Sequence, residues 1–378
     1  MARYIGDGVV IATPRNEGHR LADRLYLDHA ATTPVCALAR EAVARGFELW
    51  ANPSSPHGAG RASRAALEEA RTKVGEALGW QGDIVFTSGA TEAIAIAIGR
   101  TTSDALLVAD IEHDAVRRVA QRAVALPVDA NGVVAPHVVE GRLGALAARQ
   151  PLVVIQAVNG ETGVMQPIEA IAPIVARAGG ALFVDASQAA GKMPLPDADL
   201  IAISAHKFGG PPGVGALLIR DLALLSPAGG QEQGYRAGTE NLPGGLGMAA
   251  ALGTKRGWVD RAADLRAHLD GAIEALGGQV VAKAAPRMAT IGSYRMPGVA
   301  SAAQLIQFDM AGIAVSAGSA CSSGSLRPSY VMLAMGWSEA EAAEVIRVSF
   351  GPETTRADVY RFIDSWKRIA ADARGRRA

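Results

Sequence analysis

From Leu25 to about residue 220, short β-branched apolar runs alternate with stretches whose apolar positions recur at helical spacing. The runs are Asp83–Thr87, Ala105–Ala109, Leu152–Ala157, Ala181–Asp185, Leu200–Ser204 and Val214–Arg220. This alternation predicts an α/β fold, a mainly parallel sheet with helices on both faces. Nearly every polar motif of interest follows one of these runs directly. Ligands bind at the C-terminal ends of strands in open α/β sheets, so these motifs should share one crevice. After Gly230 the texture changes to a Gly-rich stretch (229–247), a long helical pattern from about Leu252 to Leu276, and shorter strands and helices beyond. That reads as a smaller α+β domain. The expected division is an N-terminal extension (1–24), poorly ordered, a large domain (25–245) and a small C-terminal domain (246–378).

Composition narrows the function classes. Lys plus Arg (37) equals Asp plus Glu (37), which gives no electrostatic reason to expect nucleic acid or an anionic membrane as partner. No stretch approaches a membrane span and residues 1–24 lack the apolar core of a secretory signal, so a soluble protein is expected. The two cysteines, Cys36 and Cys321, are too few and too far apart for a disulfide framework or a zinc site, and a reducing cytoplasm fits. The glycines (43) are dispersed, which suits tight turns between strands and helices rather than a linker.

Three features carry chemistry. Lys207 stands between the end of the 200–204 run and a Gly/Pro-rich turn, flanked by Ser204 and His206. Asp185 ends another apolar run, where a carboxylate is costly unless paired. Pyridoxal phosphate requires this pair: an amine to form a Schiff base with its aldehyde, and an acid to keep the ring nitrogen protonated. The segment Phe86–Glu92 (FTSGATE) opens a helix directly after a strand, an arrangement that attracts phosphate. No GxxxxGK[ST] loop is present, so a nucleotide reading is poorly supported. Cys321 lies in SAGSACSSGS (316–325), small residues with little capacity to pack a core; a mobile loop with a reactive thiol is expected. Cys36, at the start of a helical pattern, reads as structural.

Together these segments resemble the cysteine desulfurases of the class V aminotransferase superfamily, in the branch with a longer, flexible cysteine loop. The motifs are LDHAATTP (27–34), NPSSPHGAGR (52–61), FTSGATE, Glu112–His113, VDASQ (184–188), SAHK (204–207), RAGTEN (236–241), SAGSACSSGSLRPSYV (316–331) and IRVSFG (346–351). The resemblance implies a type I fold of pyridoxal-phosphate transferases and a homodimer. It implies that Lys207 carries the cofactor, Asp185 pairs with the ring nitrogen, His113 stacks on the ring and moves protons, and Gln188 faces the ring hydroxyl. Ala90, Thr91, Ser204 and His206 would hold the phosphate, Thr239 would reach the phosphate of the neighbouring subunit, and Arg347 would grip the substrate carboxylate. The activity implied is conversion of L-cysteine to L-alanine, with sulfur passed to Cys321 as a persulfide and then to an iron-sulfur scaffold or other acceptor protein. Two departures stand out. VNGETG (158–163) places Gly160 where relatives carry a second asparagine, leaving Asn159 to take over part of its role. The helix after FTSGATE continues as the apolar AIAIAIG. Another class V aminotransferase or lyase, or a low-activity paralogue serving as a sulfur-protein scaffold, are the alternatives.

Overall fold

The computed structural model describes residues 24–255, 257–318 and 328–375. In chain order these form β1 (Leu25–Tyr26), α1 (Ala37–Glu48), α2 (Gly58–Leu78), β2 (Asp83–Thr87), α3 (Ala90–Gly99), β3 (Ala105–Ala109), α4 (Asp114–Val119), β4 (Val124–Leu126), α5 (Pro136–Gly144), β5 (Pro151–Gln156), α6 (Ile168–Arg177), β6 (Ala181–Asp185), β7 (Leu200–Ser204) and β8 (Gly215–Ile219). Then follow α7 (Leu242–Leu252), α8 (Trp258–Ala275), β9 (Gln279–Val280), β10 (Ile291–Arg295), α9 (Ser301–Met310), β11 (Ile313–Ala314), α10 (Tyr330–Ala334), α11 (Glu339–Ala342), β12 (Val345–Ser349) and α12 (Arg356–Gly375). Apart from Arg24, the expected N-terminal extension lies outside the described residues.

Seven strands form the main sheet in the order β2-β8-β7-β6-β5-β3-β4. All pairings are parallel except those of β8, which runs antiparallel to both β2 and β7. Every residue of β5, β6, β7 and β8 is buried. That is why these strands are written as continuous apolar runs: helices cover both faces and neither side meets water. One face packs Val153, Ile155, Leu182, Val184, Ile201 and Ile203. The other packs Val154, Phe183, Leu200, Ala202 and Leu217 with the apolar helix α3. The AIAIAIG pattern thus belongs to this second core, where Ala93, Ile94, Ile96, Ala97 and Ile98 are buried.

A separate core is built by α8, α9, α12 and the sheet β12-β10-β9, around Phe308, Phe362 and Trp366. Leu25 and Leu27 join it, because β1 pairs in parallel with β11. The chain from Leu25 onward therefore contributes to the second core before entering the first. The crossing from Leu27 to Thr33 carries LDHAATTP across the junction.

Two elements differ from expectation. β4 is only three residues long and was not anticipated. α7 occupies the end of the Gly-rich stretch, for which the sequence named no element, and its glycines serve helix packing. A Cβ at Gly247 would stand 2.6 Å from Val43 Cγ2, and one at Gly46 of α1 would stand 2.5 Å from Pro243 Cα. Small residues on both helices allow a close approach that larger ones would block.

Candidate active site

The C-terminal ends of β6 and β7 set the floor of the site. β7 ends at Ser204 and the chain makes a single 3-10 turn, Ala205–Lys207, whose Ala205 O accepts from Phe208 N (3.1 Å) and from Gly210 N (2.9 Å). A Cβ at Gly210 would meet Ala205 Cβ at 2.7 Å, so the turn requires glycine there. The Lys207 amine donates to the carbonyls of Ala30 (2.7 Å) and Ala31 (2.9 Å) on the LDHAATTP crossing. On the adjacent strand, Asp185 is buried, and its Oδ1 accepts from Ser187 N (2.9 Å) and Ser187 Oγ (2.6 Å). Gln188, also buried, donates from Nε2 to Ala30 O at 2.8 Å. Lys207 and Gln188 thus meet at the Ala30 carbonyl, with Asp185 at the end of the adjacent strand.

Next to them lies the start of α3. Its N-cap, Gly89, has φ 141° and no side chain to cap the helix, which leaves first-turn amides, among them those of Ala90 and Thr91, as outward-facing donors. An ideal Cβ on Gly89 would sit 3.6 Å from Ser204 Oγ, which brings that hydroxyl to the same cup. Gly215 supports the cup from beneath: a Cβ there would meet Gly89 Cα at 2.7 Å and Ile203 O at 2.4 Å. Glu92 ties the cup to a distant loop. It accepts from Ser88 N (2.5 Å) and Ser88 Oγ (2.6 Å) and pairs with Arg236 at 3.2 Å. Burial opposes its charge, but these partners outweigh burial and hold its carboxyl below the ordinary value.

Two further residues expected to contact phosphate are His206 and Thr239. His206 Nδ1 faces Thr32 Oγ1 at 3.2 Å, and burial, reinforced by Lys207 and Lys192, lowers its pKa to about 4. It is a neutral, orienting group near neutral pH. Thr239 is exposed at the end of the loop that Arg236 anchors.

The opposite wall comes from the turns after β3 and β5. His113 caps α4, its Nδ1 accepting from Ala115 N at 3.1 Å, which leaves Nε2 for the proton in the neutral ring. Asn159 spends its amide on the turn: Oδ1 accepts from Glu161 N and Thr162 N (3.0 and 2.8 Å), and Nδ2 lies 3.4 Å from Ile111 O. These bonds hold the turn on which Gly160 sits. Gly160 faces the site, since a Cβ there would come within 3.3 Å of Gln188 Nε2. Its carbonyl accepts from Arg347 Nη1 at 2.9 Å, while Arg347 Nη2 pairs with Asp28 at 2.7 Å. Arg347 is buried and its Nε has no partner, so the guanidinium is held in place with donor capacity in reserve.

Cys321 lies outside the described residues, in 319–327. Both flanks of that segment end at the site. Ser316 exchanges backbone bonds with Arg347 (2.7 and 3.2 Å), and Ser329 donates its hydroxyl to Glu161. Cys36 is half-buried at the N-cap of α1, on the wall of a cavity of about 760 Å³ that Lys192 and Lys207 also line.

Two residues escaped the sequence. Glu112 is fully buried; its Oε1 accepts from Gln156 N at 2.7 Å and its Oε2 has no partner. Burial, with Asp185 close by, holds its carboxyl well above the ordinary carboxylate range. The signal was the acid before His113, but nothing in the sequence states its burial. Lys192 is the other, and only the i, i+4 spacing from Gln188 hinted at it. In chemical terms the site offers an amine for a carbonyl carbon, an anchored carboxylate for a cationic ring nitrogen, a helix N-terminus for phosphate, and a guanidinium for a carboxylate.

The sequence model of the family described as Aminotransferase class-V matches residues 25–362. A cysteine desulfurase of Cereibacter sphaeroides is 37% identical over 371 residues, covering 90% of this chain and 94% of that protein. A protein of Dictyoglomus turgidum named cysteine desulfurase IscS is 35% identical, covering 91% of this chain and 94% of that one. Among solved structures, a NifS-like protein from Rickettsia africae superposes with a TM-score of 0.84 at 29% identity, over 92% of this chain and 99% of that one.

Proposed function

The chain belongs to the class V aminotransferase family, and from that premise we propose that it is a pyridoxal-phosphate-dependent cysteine desulfurase that converts L-cysteine to L-alanine and passes the sulfur on through Cys321. One observation carries the reading. An amine (Lys207), an anchored acid (Asp185) and an uncapped helix N-terminus (α3) stand at the C-terminal ends of β7, β6 and β2 of one sheet, the three contacts an aromatic aldehyde phosphate with a protonated ring nitrogen requires. Bound there, the cofactor would supply an aldehyde for the substrate amine and a ring that accepts electrons.

The chain's own residues divide the remaining work. Arg347, steered by Gly160 O and Asp28, binds the substrate carboxylate and fixes which substrate bonds face the reacting centre. Lys207, with His113 Nε2 as a second carrier, moves the proton from the substrate α-carbon. The Cys321 thiolate attacks the substrate sulfur and a sulfur–sulfur bond forms as the carbon–sulfur bond breaks. The bonding pair stays with the β-carbon, which takes a proton to give alanine, and Cys321 is left as a persulfide. The anchoring of both loop flanks at Arg347 and Glu161 supports delivery of that thiol to this place.

A homodimer completes the proposal. Thr239 is exposed on a loop tied through Arg236 to the phosphate cup, and Phe47, Leu49 and Trp50 expose apolar surface at the end of α1. Two cysteines and no disulfide framework suit a cytoplasmic setting, with an iron-sulfur scaffold or similar protein as sulfur acceptor. The test is to incubate purified protein with L-cysteine and quantify alanine and sulfide for wild type and Cys321→Ser. The variant should lose sulfide release in the presence of reductant; equal release from both would exclude the nucleophile.

A further inference from the structure

Lys192 has no part in the reading above, yet it lies against the site. Its side chain is 6% exposed, and no carboxylate pairs with it among the described residues. Lys207 and His29 share its cavity, and Arg347 adds positive charge nearby. Its amine donates to Gln188 Oε1 at 3.2 Å. The other end of the same amide, Gln188 Nε2, donates to Ala30 O at 2.8 Å, and Ala30 O also accepts from the Lys207 amine at 2.7 Å. Lys192 and Lys207 are therefore joined through one glutamine amide and one carbonyl.

A glutamine can present either its oxygen or its NH₂ to a given neighbour, and its partners decide which. The Lys192 amine has N–H groups to donate to Oε1 whether or not it carries its extra proton, and the Ala30 carbonyl can only accept from Nε2, so both partners oppose the flipped amide. We propose that Lys192 is a positioning residue that locks the Gln188 amide with its NH₂ toward Lys207, so that it donates to the ring oxygen of the bound cofactor. This rests on the role given to Gln188 above. The ring oxygen lies next to the carbon that Lys207 engages, and in its ionised form it accepts hydrogen bonds. An unlocked amide could turn its own oxygen toward it and lose a donor in exchange for repulsion. The glycine at 160 leaves room for this, since a side chain there would crowd Gln188 Nε2.

The experiment is a pH titration of the bound cofactor's absorbance in the reconstituted full-length chain, for wild type, Lys192→Met, Gln188→Ala and the double variant. Lys192→Met should move the titration midpoint in the same direction as Gln188→Ala, by about one pH unit at most, the equivalent of one lost hydrogen bond. The double variant should match Gln188→Ala alone, because the lysine acts only through the amide. An unmoved Lys192→Met beside a shifted Gln188→Ala, or shifts that add in the double variant, would overturn the lock while leaving the role of Gln188 intact. An unmoved Gln188→Ala would show that the role of Gln188 itself is wrong. Gln188→Glu, read in the presence of Lys192, keeps the test decisive if Lys192→Met does not fold. It offers the ring oxygen only another oxygen, so it should bind cofactor more weakly than Gln188→Ala, and binding as tight or tighter would refute the proposal.

Discussion

Replacing Lys192 with methionine in the cofactor-free protein should flatten the rise of stability with pH. Burial, aided by Lys207 and Arg347, lowers the Lys192 pKa from 10.5 to about 7 in the folded chain. Between those values the unfolded chain binds a proton that the fold has released, so stability increases as pH rises through this window. At about 1.4 kcal/mol per pH unit, the buried amine costs about 4 kcal/mol at pH 7 and about 2 kcal/mol at pH 9. Methionine fills a similar volume and has no proton to lose. Denaturant unfolding at a series of pH values should therefore show wild type gaining about 2 kcal/mol on Lys192→Met between pH 7 and pH 9. Loss of the bond to Gln188 adds a constant offset without changing that slope. His29, lowered to about 4, and His206 are neutral in both proteins across this range and contribute no difference. Parallel stability curves would refute the reasoning, because they would mean that Lys192 keeps its ordinary proton in the fold.

Three further outcomes follow from the geometry. Gly215→Ala drives a Cβ into Ile203 O and Gly89 Cα, so it should cost about 1–3 kcal/mol and weaken cofactor binding, read by melting temperature and by cofactor titration. Arg71→Met strips the partner from Glu232, whose buried carboxylate takes Arg71 Nη1 at 2.6 Å and Phe86 N at 3.0 Å, and should destabilise by about 3–5 kcal/mol in thermal or denaturant unfolding. Arg347→Lys keeps the charge but loses the planar fork, so KM for L-cysteine should rise by about tenfold or more while the absorbance of the bound cofactor stays the same.

The main sheet was legible because burial on both faces confines polar residues to the ends of its strands. Lys207 and Asp185 were legible for a related reason: a charged residue ending a wholly apolar run has few places to go except a site. What stayed hidden depended on distance along the chain. The membership of Leu25 and Leu27 in the second core follows from pairing with β11, some 290 residues later, and no local pattern records it. α7 was obscured because its glycines report the proximity of α1, a tertiary fact that mimics loop composition. Arg347 reads as a substrate clamp or as a salt bridge, and the structure shows it already paired with Asp28 while retaining an unpartnered Nε. Lys192 drew no reading from the sequence, since nothing beside it there discloses that it is nearly sealed from water.

The most direct measurement concerns which amine carries the cofactor, because Lys207 and the buried Lys192 lie within the same hydrogen-bonded group. Protein reconstituted with pyridoxal phosphate, reduced with borohydride and digested, should yield a single modified peptide with the label on Lys207. A label on Lys192, or no labelled lysine in fully loaded protein, would contradict the account.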